Sequence, residues 1–234
     1  MQLQAIHTRR FLLEESLFPF IIEHVSDLPE KSILVIASKV VALSQRAWMN
    51  RAFTAEDIAQ ASDWFVETPY AYLTLVQGHW CPNAGMDASN AAGGTVLWPT
   101  ELEDSLASLH QQLKDHYHRQ EIGLIVSDSR VFPLRQGVTA VSLAHVGFTS
   151  LRDYRGEKDL DDRPLRMTTV NRADALATAA SVLMGEGNEQ RPLCLIEHAP
   201  VLFTETGIHE QLFIDPKDDL FAPLYQRLPD FPLV

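Results

Sequence analysis

The chain has 234 residues, 46% of them apolar, and a formal charge of −12. That is enough apolar mass for a continuous core, and an acidic balance with no local Lys/Arg run excludes a partner held through a nucleic-acid backbone. Two distant cysteines, Cys81 and Cys194, exclude a disulfide framework and a Cys-rich zinc site.

A reducing, cytoplasmic setting and small-molecule partners are therefore expected. Glu14 and Glu15 interrupt the segment after Arg9 and Arg10 where a signal peptide would need an apolar stretch. No run approaches the roughly 18 apolar residues of a membrane span, so no membrane association is expected.

In chain order, Leu13, Leu17, Phe20 and Ile21 recur at helical spacing, and Ile33 to Ile36 read as a buried strand leading into Ser38 and Lys39. A second helix is expected after Thr54, whose hydroxyl can cap it, with Asp57 in its first turn and Ile58, Ala61 and Phe65 on one face. Tyr70 to Val76 reads as a strand. The run Asn83 to Asn90 then sets Asp87 in a tight turn of small residues, and Thr95 to Trp98 resumes an extended course. Thr100 and Glu103 suggest a capping box for a helix carrying Leu102, Leu106, Leu109 and Leu113.

Ile122 to Val126 is expected as a strand delivering a second acidic turn, Ser127-Asp128-Ser129. Val138 to Ala144 alternates as a strand, whereas Arg152 to Arg166 has no apolar period and reads as a long loop. Asn171 and Asp174 start a small-residue helix from Ala173 to Met184, ended by Gly185 in a left-handed conformation. Leu193 to Ile196 is the last strand. The mixture lacks the regular alternation of a doubly wound sheet, so an α+β fold is expected, as one domain over residues 1–234 and with no P-loop or Rossmann signature.

Three acidic positions stand out. Asp87 is either an Asx-turn residue or a ligand for a hard cation. Asp128 either caps the chain after its strand or does the same work, and Glu186 sits past a helix end, where a carboxylate is unfavourable without a cation nearby. Together with the Ser129 hydroxyl they form an all-oxygen donor set suited to Mg²⁺ or Mn²⁺. Arg135, Arg152, Arg155 and neighbouring basic residues, interleaved with Asp153, Asp159, Asp161 and Asp162, are either a salt-bridged face or contacts for an anionic substrate. Ser38 and Lys39 could touch a nucleotide.

Read jointly, Asn83 to Asn90, Ser127-Asp128-Ser129, Arg135-Gln136-Gly137-Val138, Asp153 to Leu160 and Met184-Gly185-Glu186-Gly187 resemble the coenzyme F420-0:γ-glutamyl ligase family. Ser129-Arg130, Pro133-Leu134-Arg135 and the tail Asp218 to Leu224 look most similar to a bacterial branch described as folate-metabolism γ-glutamate ligases.

The resemblance implies a metal-dependent amide ligase that uses GTP, or ATP, to add L-glutamate through a γ-glutamyl linkage to a folate-type acceptor. F420-0 as acceptor, or a catalytically silent nucleotide-binding relative, are the alternatives. It further implies a homodimer, and allows K⁺ as an additional cation. By motif position Asp87, Asp128, Ser129 and Glu186 would be metal ligands. Ser38, Lys39, Asn90, Gly185, Gly187 and Asn188 would face the nucleotide, and Arg135 and Arg155 would contact acceptor or phosphate. Leu43 stands where such ligases often carry lysine.

Overall fold

Ile33, Leu34, Val35 and Ile36 are fully buried in the middle of a strand covered on both faces. Odd and even positions of this strand therefore feed different cores. The computed structural model describes residues 1–91, 93–205 and 212–232. In chain order its elements are β1 (Gln2–Ile6), α1 (Leu17–His24), β2 (Ser32–Ala37), α2 (Ser38–Ser44), β3 (Trp48–Met49), α3 (Ala55–Ala61), β4 (Trp64–Glu67), β5 (Tyr72–Val76) and β6 (His79–Pro82). After a 3-10 turn (Asn83–Gly85) come β7 (Thr95–Val96), α4 (Leu102–Tyr117), β8 (Ile122–Val131), β9 (Val138–Val146), β10 (Leu151–Asp153), β11 (Thr169–Asn171), α5 (Arg172–Met184), β12 (Leu193–Glu197) and α6 (Ala222–Tyr225).

The main sheet has the order β1-β12-β2-β8-β9, and β2 and β8 run parallel while its other pairs are antiparallel. Leu34, Ile36, Leu124 and Val126 face a core shared with Phe20, Ile21, Leu106, Leu109 and Leu113. Ile33, Val35, Ile125 and Ile196 face the opposite core, where Ala173, Ala177 and Ala180 let α5 pack closely on the sheet. Smaller sheets pair β3 with β7, β10 with β11, and β4 with β5 and β6. The fold is α+β. Among the described residues no helix is long and apolar enough to cross a membrane, and both cysteines are buried and free.

Several local expectations are corrected. Thr54 does cap α3, in a full capping box with Asp57, but Phe65 belongs to β4 and not to that helix. Helix α4 begins instead on Glu101 in the left-handed region, with no side-chain cap, so Thr100 and Glu103 form no capping box. Ser127, Asp128 and Ser129 are no turn: β8 continues past a bulge between Val126 and Ser127 and pairs with β9 to Val131. The segment from Arg152 to Arg166 is an arm rooted in the β10-β11 pair and bridged between Lys158 and Pro164. Gly185 has positive φ, but its ψ of 168° is extended and not the left-handed helical value.

Two stability predictions arise here. Thr54→Ala removes the acceptor that takes the Asp57 amide, and loss of such a cap should cost about 1 kcal/mol. Thermal unfolding checks it, with Glu56→Ala as a first-turn control that leaves the cap intact. His110 is buried with Nε2 2.9 Å from the Ile122 carbonyl, and burial lowers its pKa below the ordinary 6.5. The unfolded chain then binds the extra proton first, so this contribution to stability is complete above pH 6.5 and is lost as pH falls through the lowered folded value. Denaturant titrations at pH 7.5 and 5.5 should show a smaller pH loss in His110→Gln than in the native protein.

Candidate active site

The parallel pairing of β2 with β8 sets Ala37 opposite Ser127 and so brings the carboxyl ends of two strands together. Ser38, opening α2 just beyond β2, donates its hydroxyl hydrogen to Asp128 Oδ1 at 2.8 Å. Protein packs closely around the Asp128 carboxylate, and burial pushes its pKa above the usual carboxylate range. The Ser38 hydroxyl and the Ser129 amide offset that shift in part.

Asp128 is half-buried and lines the cleft, so a cation brought to its free oxygen would favour the ionised form.

Asp87 reaches the same place from another direction. Its backbone exchanges hydrogen bonds with Val96 of β7, at 3.0 and 2.8 Å, which fixes the residue although it lies in an irregular run. The Ser89 amide and hydroxyl donate to its carboxylate, so Asp87 does make an Asx turn. Lys39 Nζ also donates to Asp87 Oδ2 at 2.7 Å and to the Ser89 carbonyl at 2.9 Å. Burial alone would raise the Asp87 pKa, but the bonds from Lys39 and Ser89 outweigh it and hold the carboxyl below its usual range.

Helix α5 supplies the third side. Past its end at Met184, Glu186 accepts the Ser129 hydroxyl at 2.6 Å. Glu189 folds back to accept the Gly187 amide at 2.8 Å. The Gly187 carbonyl in turn accepts Asn90 Nδ2 at 3.2 Å, which ties the turn after Asp87 to the loop after α5.

These residues line one cleft of about 370 Å³. The cleft brings together Asp87, Asp128, Ser129, Glu186, Ser38, Lys39, Asn90, Gly185, Gly187 and Asn188. Arg135 and Arg155 do not line it. Arg135 lies on the exposed turn between β8 and β9, and Arg155 is held by Asp153 at 2.7 Å within the charged arm. That arm is laced by further pairs, Lys158 with Asp162 and Arg163 with Asp159, as a salt-bridged face would be.

Sequence reasoning missed the cleft's arginines. Arg9, Arg10 and Arg191 line it because β1 and β12 pair antiparallel, placing the residues after Ile6 beside those before Leu193. The Thr8 amide accordingly donates to the Gln190 carbonyl at 2.9 Å. No local pattern marks that juxtaposition.

The donors gathered in the cleft are all oxygen, a set that fits a hard divalent cation in kind. Among the described residues, no three acidic, His or Cys side chains are grouped so as to hold a metal unaided.

Comparison with known proteins places the chain among ligases. It belongs to the F420-0:Gamma-glutamyl ligase family, whose sequence model matches residues 54–198. It is 30% identical over 198 residues to the coenzyme F420:L-glutamate ligase of Methanosarcina acetivorans, covering 76% of this chain and 78% of that protein. The likeness to the protein of the same name from Haloarcula marismortui is 30% over 222 residues, covering 83% and 85%. With that of Methanococcus maripaludis strain C7 it is 36% over 144 residues, covering 62% and 57%. The matched segment spans Asp87, Asp128, Ser129 and Glu186.

Proposed function

We propose that this chain is a nucleotide- and divalent-metal-dependent γ-glutamyl ligase that adds L-glutamate to the carboxylate of an F420-0-type acceptor. The observation that carries the reading is the meeting of Asp87, Asp128, Ser129 and Glu186, far apart in sequence, in one cleft. The relatives' name, coenzyme F420:L-glutamate ligase, favours the deazaflavin acceptor. The folate-type acceptor rests on the sequence resemblance alone and draws no support from that name.

In this reading Asp128, Ser129, Asp87 and Glu186 would hold Mg²⁺ or Mn²⁺, hard cations that take oxygen donors and are commonly bound through only one or two protein carboxylates. When bound there, such a cation would supply cancellation of the charge that spreads over the transferring phosphoryl oxygens. Ser38 fixes the Asp128 rotamer through its 2.8 Å bond, and Lys39 is held by Asp87 and Ser89 where its charge faces the cleft.

The acceptor carboxylate attacks the γ-phosphorus of GTP or ATP and the nucleoside diphosphate leaves, giving an acyl phosphate. The glutamate amine then attacks the acyl carbon, phosphate leaves, and the amine proton passes to solvent. No protein nucleophile is required, because positioning and charge cancellation carry the rate. A two-fold dimer of this chain, with GTP as the preferred nucleotide, completes the reading.

Phosphate release tests it. The purified protein with Mn²⁺, GTP or ATP, L-glutamate and F420-0 should release phosphate only when every component is present. Tight nucleotide binding without release, with F420-0 or tetrahydrofolate, would instead mark a catalytically silent relative.

A further inference from the structure

The charges of the cleft do not pair off evenly. Each lining carboxylate has a hydrogen-bond donor of its own, a charged one only at Asp87: Asp87 takes Lys39, Asp128 takes Ser38, Glu186 takes Ser129 and Glu189 takes the Gly187 amide. Arg9 is neutralised by Glu15 and by Glu23 at 2.8 Å. Two guanidinium groups remain without a carboxylate among the described residues. Arg10 Nη2 donates only to the Asn90 carbonyl at 3.1 Å, and Arg191 Nη1 only to the Leu183 carbonyl at 3.4 Å.

Their position makes this imbalance useful. Arg10 is tied to Asn90, whose side chain reaches Gly187, and Arg191 follows Gln190, which is bonded to Thr8. Both therefore stand along the N-terminal segment and the loop after α5, facing a cavity whose other wall is the acidic group around Asp128. In a chain of net charge −12, two arginines without an ion pair on one wall of a cleft are a local attractor for a multiply charged oxyanion. Each guanidinium has further N–H donors in a planar fork, which matches a phosphate group.

We propose that Arg10 and Arg191 form an oxyanion subsite of the cleft that takes a phosphate group of a substrate, separate from the acidic wall. The proposal rests on the ligase reading and adds to it a second, cationic half of the site. Two substrates of that reading bear phosphate: the nucleotide through its polyphosphate and F420-0 through its phosphodiester. L-glutamate bears carboxylates and an amine but no phosphate.

Calorimetric titration separates the sources. GTP with Mg²⁺, F420-0 and L-glutamate are each titrated into the native protein, the double variant Arg10→Gln/Arg191→Gln, and Arg46→Gln, which removes an exposed charge paired with Glu14 outside the cleft. The double variant should bind GTP or F420-0 about tenfold more weakly, with a shallower salt dependence, since these contacts are charge-assisted and screened by ions. The ligand that loses affinity names the phosphate that sits there. Melting temperature, glutamate affinity and the Arg46→Gln titrations should be unchanged.

Unaltered affinity for both phosphate ligands in the double variant overturns the subsite, as does a loss confined to L-glutamate. Product assays on the native protein are read separately. Weakened phosphate binding in the double variant, together with a native protein that makes no glutamyl product, keeps the subsite and removes the ligase reading. Unaltered phosphate binding together with normal product formation does the reverse.

Discussion

On the metal-holding role proposed for it, replacing Asp128 with Asn should lower ligase turnover about 10- to 100-fold while leaving the fold intact, the size of effect that residues supporting metal sites carry. The substitution keeps shape and one hydrogen-bond acceptor, so Ser38 can still donate as it does now at 2.8 Å. What disappears is an ionisable carboxyl in a closely packed place, where burial opposes ionisation. Among the described residues no Lys or Arg forms an ion pair with this carboxyl, although the nearby Arg130 and Lys39 charges offset part of the effect of burial. In the variant, Mn²⁺ affinity in the presence of nucleotide should fall with turnover, and the melting temperature should hold or rise. Near-native phosphate release by Asp128→Asn would remove this residue from the site.

The largest stability effect is expected at Phe148. Its ring is fully buried among Ile33, Ile125 and the small residues of α5. It lies so close to β8 that a Cβ on Gly123 would come within 2.7 Å of Phe148 Cδ1. Phe148→Ala should therefore cost about 3–5 kcal/mol and lower the melting temperature by roughly 10 °C for a chain of this size. Gly123→Ala approaches the same contact from the other side, as overpacking. The two changes share one space, so their effects should not add. Equilibrium unfolding of both single variants and the pair checks this. A Phe148→Ala cost below about 1 kcal/mol would mean that the sheet and α5 can collapse together after loss of the ring.

The elements that sequence reveals are those whose burial pattern is local. Ile33 to Ile36, the Leu106-Leu109-Leu113 stripe and the Ala-rich α5 are visible because a strand covered twice is continuously apolar and a helix covered once is periodic. Ser127-Asp128-Ser129 misleads for a physical reason. These residue types favour turns by themselves, yet pairing with Ser142, Val141 and Ala140 across the bulge holds them in the ladder. The short strands β1, β3 and β6 carry no distinct period. Each is defined by its partner, as Gln2–Ile6 is by Leu193–Glu197.

The same division governs the site. Its acidic half is legible, because Asp87, Asp128 and Glu186 stand among small polar residues in a combination that resembles one family, and the fold brings them to one cavity. Its cationic half is not. Arg9 and Arg10 appear as an ordinary basic pair near the N-terminus until β1 is seen to pair with β12, and Arg191 has no motif around it. Conversely, Arg155 lies in a conspicuous charged run but spends its guanidinium on Asp153, two residues away. Charge density along a sequence thus says little about which charges remain available in space.

The central claim, that this cleft joins glutamate to an acceptor at the expense of a nucleotide, is tested most directly by the mass of the acceptor after reaction. F420-0 incubated with the protein, Mn²⁺, GTP and L-glutamate should gain the mass of one or more glutamyl residues, and should gain nothing if any one component is omitted. An acceptor of unchanged mass, with F420-0 and with tetrahydrofolate, in a protein that binds nucleotide normally would contradict the account.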